Sequence, residues 1–199
     1  MITFGILAFD GMEELDAIGP YEVLGFAAGL KPDDARVVMI SKDGGPVRCA
    51  KGLGVAVDHA FTDAPPLDVV IVPGGIGART TALKDGDIIA WIAATAATAT
   101  WTCSVCTGAF LLDAAGLTKG RRVTTYHDKI DLLRRVGTDV TVLDDVRYVR
   151  DGQVVTSAGV SAGMDMTLWL VGQIWDPAFA RAVQRGIEYD PAPPYAAAV

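Results

Sequence analysis

The sequence predicts an α/β fold with a mainly parallel sheet and helices on both faces. Three observations carry this. Short apolar runs alternate with helical stretches nearly throughout the chain. The runs are apolar on both faces, as in strands buried by crossover helices. Glycines stand where those runs end, as in the "VPGG" of residues 72–75.

In chain order, "TFGILAF" (3–9) is the first strand. "MEELDAIGPYEVLGFAAGL" (12–30) has helical spacing, and Gly19-Pro20 is expected to break it into two pieces. "ARVVMIS" (35–41) and "LDVVIVPGG" (67–75) are the second and third strands. An Ala-rich helix follows at 87–99, and then a strand at 100–105. "GAFLLDAAGL" (108–117) is a buried helix, ended by Gly116. "RRVTTY" (121–126) reads as a short strand and 128–137 as a helix. Residues 140–159 contain a hairpin turning at Asp151-Gly152. Helices are expected at 161–175 and at 176–187, the latter with Pro177 in its first turn. The Pro-rich tail "EYDPAPPYAAAV" is expected to be extended. With no repeat and no long linker, residues 1–199 read as one domain.

Bulk properties exclude several classes. The net charge is -7 and basic residues never run beyond a pair, which argues against nucleic-acid binding. No apolar run reaches the roughly 18–20 residues that cross a bilayer, so no membrane partner is expected. The N-terminus lacks a basic region and soon turns acidic, which suggests a cytoplasmic protein. Three cysteines, an odd number, make no disulfide framework.

Ligand sites in such sheets lie at the carboxyl ends of strands. Here those ends follow Phe9, Pro73 and Cys103. The last is "TCSVCTG", with Cys103 and Cys106 in a C-x-x-C. A redox pair needs both sulfurs near one helix N-terminus, but Cys103 falls on the strand side of the turn. A metal clip needs a second close pair of ligands. The chain offers only Cys49, His59 and His127 besides, so no metal site is expected. The remaining reading is a nucleophile elbow, in which Gly108 lets the helix start pack against the strand. A helix N-terminus would then lower the Cys106 pKa and offer N–H groups to a developing negative charge. A buried structural thiol is the plain alternative.

Around the elbow, "PGGIG" (73–77) offers backbone donors or only a tight turn. Asp16 and Glu22 sit among apolar residues, and Asp16 is a candidate proton donor if it faces the strand ends. Thr107 could bond the site or cap the helix. His127 could reach the site as a base, and His59 reads as a loop residue.

In these residues the chain resembles the ThiJ/PfpI superfamily, whose flavodoxin-like α/β/α sandwich is related to class I glutamine amidotransferases. The resemblance runs through "FDGMEELDAIGPYEVL", "DVVIVPGGIG", "SVCTGAFLLDAAGL", "GRRVTTYHDKIDLL", "SAGVSAGMDMTLWLV" and "EYDPAPPY". "ELDAIGPYEVL", "SVCTG" and "YDPAPP" resemble its isonitrile-hydrating branch most specifically. The resemblance implies Cys106 as nucleophile, Asp16 as the acid beside it, and Thr107 as a second polar group. Backbone N–H groups around Gly75, Ile76 and Thr107 would bind the anion. The implied substrate is a small-molecule isonitrile, with no metal or organic cofactor, in a homodimer. Trp169 and Trp175, on apolar helical stretches, would suit an interface or the core.

Two departures matter. Thr107 rather than His follows Cys106, and Tyr126 stands where many members carry His, with His127 one place later. One residue along a strand points to the opposite face. That disfavours a Cys–His protease, or a glyoxalase or deglycase acting on aldehydes. A cysteine redox sensor, and the sensor half of AraC-type regulators, are further roles that the superfamily implies. Nothing in the sequence assigns a role to Cys49 or Cys103, or places Arg79 at the site.

Overall fold

The computed structural model describes residues 1–190 of the chain. Its strands are β1 (Ile2–Leu7), β2 (Ala35–Ser41), β3 (Val47–Arg48), β4 (Gly54–Val55), β5 (His59–Ala60), β6 (Val69–Val72), β7 (Trp101–Val105), β8 (Arg122–Val123), β9 (Thr141–Val142), β10 (Tyr148–Asp151) and β11 (Val154–Ser157). The helices are α1 (Glu14–Leu30), α2 (Ile76–Thr80), α3 (Gly86–Ala96), α4 (Gly108–Ala114), α5 (Ile130–Val136), α6 (Ala162–Ile174) and α7 (Pro177–Gly186).

Seven strands form the main sheet in the order β10-β11-β7-β6-β1-β2-β5. Every pairing in it is parallel except β10 with β11. All four residues of β6 are buried, as the unbroken apolar run requires. Helix α1 packs on α6 and α7, whereas α2 and α3 pack on α4. These two groups make the outer layers of an α/β/α sandwich. From β1 the chain first runs outward to β2 and returns on the other side as β6. The β1 and β6 carboxyl ends therefore flank a topological switch point, where the crevice of such sheets opens. Among the described residues, no helix is long and apolar enough to cross a membrane.

Several expectations change. Helix α1 does not break at Gly19-Pro20; it is continuous with Pro20 inside it. Proline removes one intrahelical bond, and close packing offsets the loss here. A Cβ on Gly19 would lie 3.0 Å from Met164 Cγ, and one on Gly163 3.5 Å from Pro20 Cγ, so the glycines let side chains of α1 and α6 pack close to the opposing backbone. The strand expected at 121–126 shrinks to β8, which pairs with β9 in a separate small sheet. Thr124 and Thr125 instead bond through side chains, Thr124 N–H to Thr156 Oγ1 and Thr125 Oγ1 to the Cys106 carbonyl. The hairpin is confined to β10 and β11, and its loop is Gly152-Gln153, one residue later than expected. Of the tail, residues 191–199 lie outside the described residues. Trp169 packs on Trp101 and Tyr148, and Trp175 on Phe4 and Phe179, so both rings already have partners within the chain.

Helix α4 approaches β6 so closely that a Cβ on Gly108 would lie 2.9 Å from the Pro73 carbonyl oxygen and closer still to that of Val72. Backbone cannot yield as a flexible side chain does. Gly108→Ala should therefore lower stability by about 3 kcal/mol or more, read as a shift in the urea midpoint. A midpoint within error of wild type would show that the crossing is looser than described.

Candidate active site

Strand β7 delivers Cys106 to the carboxyl edge of the sheet, directly before α4. Its φ is +55°, the left-handed region that a side chain adopts at a cost of about 1–3 kcal/mol. Three bonds hold it there. Its N–H reaches the carbonyls of Ser157 (3.2 Å) and Ala158 (3.1 Å), and its own carbonyl accepts from Thr125 Oγ1 at 2.7 Å. With Gly108 under the turn, this is the predicted elbow.

The C-x-x-C question is answered by position. Cys103 is fully buried within β7, where burial pushes its thiol up to about 12. All three cysteines are free. Among the described residues, no group of three or more His, Cys, Asp or Glu could hold a metal ion.

Asp16 sits in the first turn of α1 and is fully buried. Its Oδ2 accepts the Gly74 N–H at 2.9 Å, while Oδ1 has no hydrogen-bond partner of good geometry among the described residues. Burial raises its pKa to about 7; the Gly74 bond works against that, Glu13 reinforces it, and the Cys106 thiol and Val160 N–H oppose it. Gly74 is glycine because a Cβ there would stand 2.7 Å from Thr107 Oγ1 and 2.9 Å from Asp16 Oδ2. Thr107 does not cap α4. Its hydroxyl accepts the Gly75 N–H (2.9 Å) and donates to the Gly75 carbonyl (3.1 Å). The turn after β6, α1 and the elbow are thereby locked together.

That lock alters two expectations. The Gly75 N–H is already spent on Thr107, so it is not a free anion donor. The Ile76 N–H, at the first position of α2, has no acceptor among the described residues. Nor is the thiol acidic. Burial pushes Cys106 up to about 12, and the Asp16 carboxylate adds to this. The Thr107 N–H and hydroxyl and the Val160 N–H ease it only in part. Burial, and after it the Asp16 carboxylate, outweigh the short helix α4 and favour the protonated thiol.

Other candidates are not among the groups that act on the thiol. His59 lies on edge strand β5, 4.0 Å from Asp63. His127 is exposed, with Nδ1 3.2 Å from Asp128. Glu22 is exposed on α1. Cys49 is buried between β3 and β4, its pKa raised by burial and by Glu14. Arg79, on α2, has a buried Nε without a partner among the described residues. Tyr126 packs its ring on Gly159, where a Cβ would lie 3.1 Å from Cε2. The sequence reading missed Val160. It has φ +53°, an outlier for a β-branched residue, and its N–H faces both Asp16 and Cys106. Only "SAGVSAG" hinted at a tight turn there.

A sequence profile of the DJ-1/PfpI family matches residues 4–173. The chain is 40% identical over 194 residues to an isonitrile hydratase of Pseudomonas putida, covering 98% of this chain and 81% of that one. It is 29% identical over 180 residues to the transcriptional regulator CdhR of Pseudomonas aeruginosa, covering 89% of this chain and 52% of the regulator. A crystal structure of a ThiJ/PfpI family protein from Pseudomonas syringae superposes with a TM-score of 0.88 at 32% identity, over 100% of this chain and 79% of that one.

A thiol raised to about 12 yields thiolate only at high pH. Iodoacetamide alkylation of Cys106, followed by mass spectrometry, should be slow at pH 7 and still rising at pH 10. Asp16→Asn removes the neighbouring charge and should move the profile to lower pH. A wild-type plateau below pH 8 would contradict this electrostatic picture.

Proposed function

The chain belongs to the DJ-1/PfpI family, and we propose that within it the protein is an isonitrile hydratase, converting R–N≡C and water to the N-substituted formamide. The observation that carries the reading is the 40% identity to a hydratase along nearly the whole chain. A buried Cys106–Asp16 pair without a histidine beside it supports the same chemistry.

In the proposed mechanism, Cys106 Sγ bonds to the terminal isonitrile carbon. The thiol proton passes through Asp16 to that same carbon, giving the thioimidate R–N=CH–S–Cys106. Near pH 7, Asp16 is poised to accept and return a proton. Water then adds to the carbon, with Asp16 taking its proton and the nitrogen gaining one. The C–S bond breaks, the hydroxyl becomes the formyl carbonyl, and its proton restores the thiol. Thr107 positions the Gly75 turn, and the Ile76 N–H is the donor available to a developing negative charge. This is nucleophilic catalysis with one acid–base group. A Cys–His deglycase is disfavoured because neither histidine is among the groups that act on the thiol: His59 faces Asp63 and His127 faces Asp128. A sensor role resting on a reactive thiolate is disfavoured by the raised thiol pKa.

Purified protein supplied with cyclohexyl isocyanide should yield N-cyclohexylformamide by mass spectrometry. Cys106→Ala should yield none, and Asp16→Asn should lose about 10²-fold or more in kcat. No formamide from wild type would refute the activity; near-wild-type turnover by Asp16→Asn would refute the acid–base role alone. A cytoplasmic homodimer of single-domain chains belongs to the same proposal. Light scattering should give twice the chain mass, and a monomer at assay concentration would remove the dimer from it.

A further inference from the structure

A β-branched residue in left-handed backbone persists only where its surroundings hold it. Val160 is such a residue, at φ +53°, in the turn between β11 and α6. Its N–H is one of the two backbone donors that ease the Cys106 thiol, and it acts on Asp16 as well. The strain thus falls where the site needs a donor.

Arg147, directly before β10, brackets this turn. Its carbonyl accepts the Ala158 N–H at 2.9 Å, on the near side of Val160. Its guanidinium reaches the far side, where Nη2 donates to Ser161 Oγ at 3.3 Å and Nε to Asp165 Oδ2 at 2.6 Å. Asp165 is itself fixed, because the Tyr189 hydroxyl donates to its Oδ1 at 3.0 Å. Tyr126 closes over Gly159, where a Cβ would lie 3.1 Å from Cε2. Ala158, at the start of the turn, accepts the Cys106 N–H at 3.1 Å. One arginine therefore spans the segment that carries the Val160 N–H. An exposed ion pair contributes little to stability, but a planar fork on two acceptors fixes direction as well as distance.

We propose that Arg147 is a positioning residue, whose guanidinium, bridging Ser161 and Asp165, keeps the Val160 N–H on the Cys106–Asp16 pair. Arg147 is not among the groups that act on the thiol, and it works through the turn. The role deepens the hydratase reading, and rests on it only where turnover is measured. Without the fork, less offsets the left-handed strain at Val160, and its N–H turns away from the pair. The thiolate then loses a donor and forms less readily.

Arg147→Met tests this on the full chain. It keeps the apolar stem and the backbone bond to Ala158, and removes only the guanidinium. Iodoacetamide alkylation of Cys106 at pH 9, where the rate follows the thiolate fraction, should slow about 10-fold, the scale of one hydrogen bond to a charged group. The urea midpoint should change little, as for an exposed ion pair. With cyclohexyl isocyanide, kcat should fall about 10-fold and KM stay within about 2-fold. Glycine adopts left-handed backbone unaided, so in a Val160→Gly background Arg147→Met should slow alkylation by about 2-fold or less. Alkylation of Arg147→Met at the wild-type rate or faster would overturn the role. An equal loss with Val160 and with Gly at that position would reduce Arg147 to general support of the fold, and a raised KM at unchanged kcat would make it a substrate contact; either result overturns positioning. If the alkylation results hold and no isonitrile is hydrated, the hydratase reading falls and the positioning role stands.

Discussion

The hydrogen bond from the Gly74 N–H to Asp16 Oδ2 is the contact on which the rest of the site depends. A fully buried carboxyl is tolerated only if something in the fold solvates it. Here a single backbone donor does most of that, and only a glycine can bring it so close. The same turn then places the Gly75 N–H and carbonyl on the Thr107 hydroxyl. Thr107 in turn follows Cys106 in the elbow. One short glycine turn thus ties the first helix, the central strand and the cysteine turn into one unit.

The electrostatics follow from that geometry. Burial is the largest influence on both Asp16 and Cys106, and it disfavours the charged form of each. The Asp16 charge also disfavours the thiolate, whereas the thiol's hydrogen bond favours the carboxylate. Two negative charges in this spot are costly, so the pair retains a proton near neutral pH, with the thiol the stronger holder. Backbone N–H groups of Thr107 and Val160 reduce the thiol shift but do not reverse it. The left-handed conformations at Cys106 and Val160 belong to the same balance. Both lie in the left-handed region, and they bring the Cys106 thiol and the Val160 N–H to Asp16.

The sheet was legible because parallel strands buried on both faces write themselves as uninterrupted apolar runs; β2 was read to the residue at 35–41. Cys106 was legible because an elbow demands a small residue at Gly108. Asp16 stood out as an acid in an apolar pattern, although its depth was not readable. Other features depend on tertiary contacts that leave no periodic trace. Strands β3, β4 and β5 have two residues each, too few to show a period. Helix α1 runs on through Pro20 while packing on α6, where Gly19 meets Met164 from far along the chain. The thiol pKa was misjudged for the same reason: the helix end is local and visible, whereas the burial of the thiol, and the carboxyl that comes to it from ninety residues upstream, arise from tertiary packing.

A protonated thiol beside a carboxyl near pH 7 also fits the proposed substrate better than an acidic thiolate would. When sulfur adds to a carbonyl, the charge moves to an oxygen that an oxyanion hole can hold. When sulfur adds to an isonitrile, the same carbon that accepts the sulfur must also accept a proton. Charge stabilisation alone does not complete that step. The site must deliver a proton to within bonding distance of the atom under attack. A carboxyl facing Sγ can do so if it is neither fully ionised nor too weak an acid at working pH. Asp16 meets that condition through burial tempered by one hydrogen bond. An exposed histidine such as His127, which faces Asp128 and is not among the groups acting on the thiol, does not meet it. On this argument the missing Cys–His pair is a chemical match to the proposed reaction, because the proton relay and the nucleophile share one buried position.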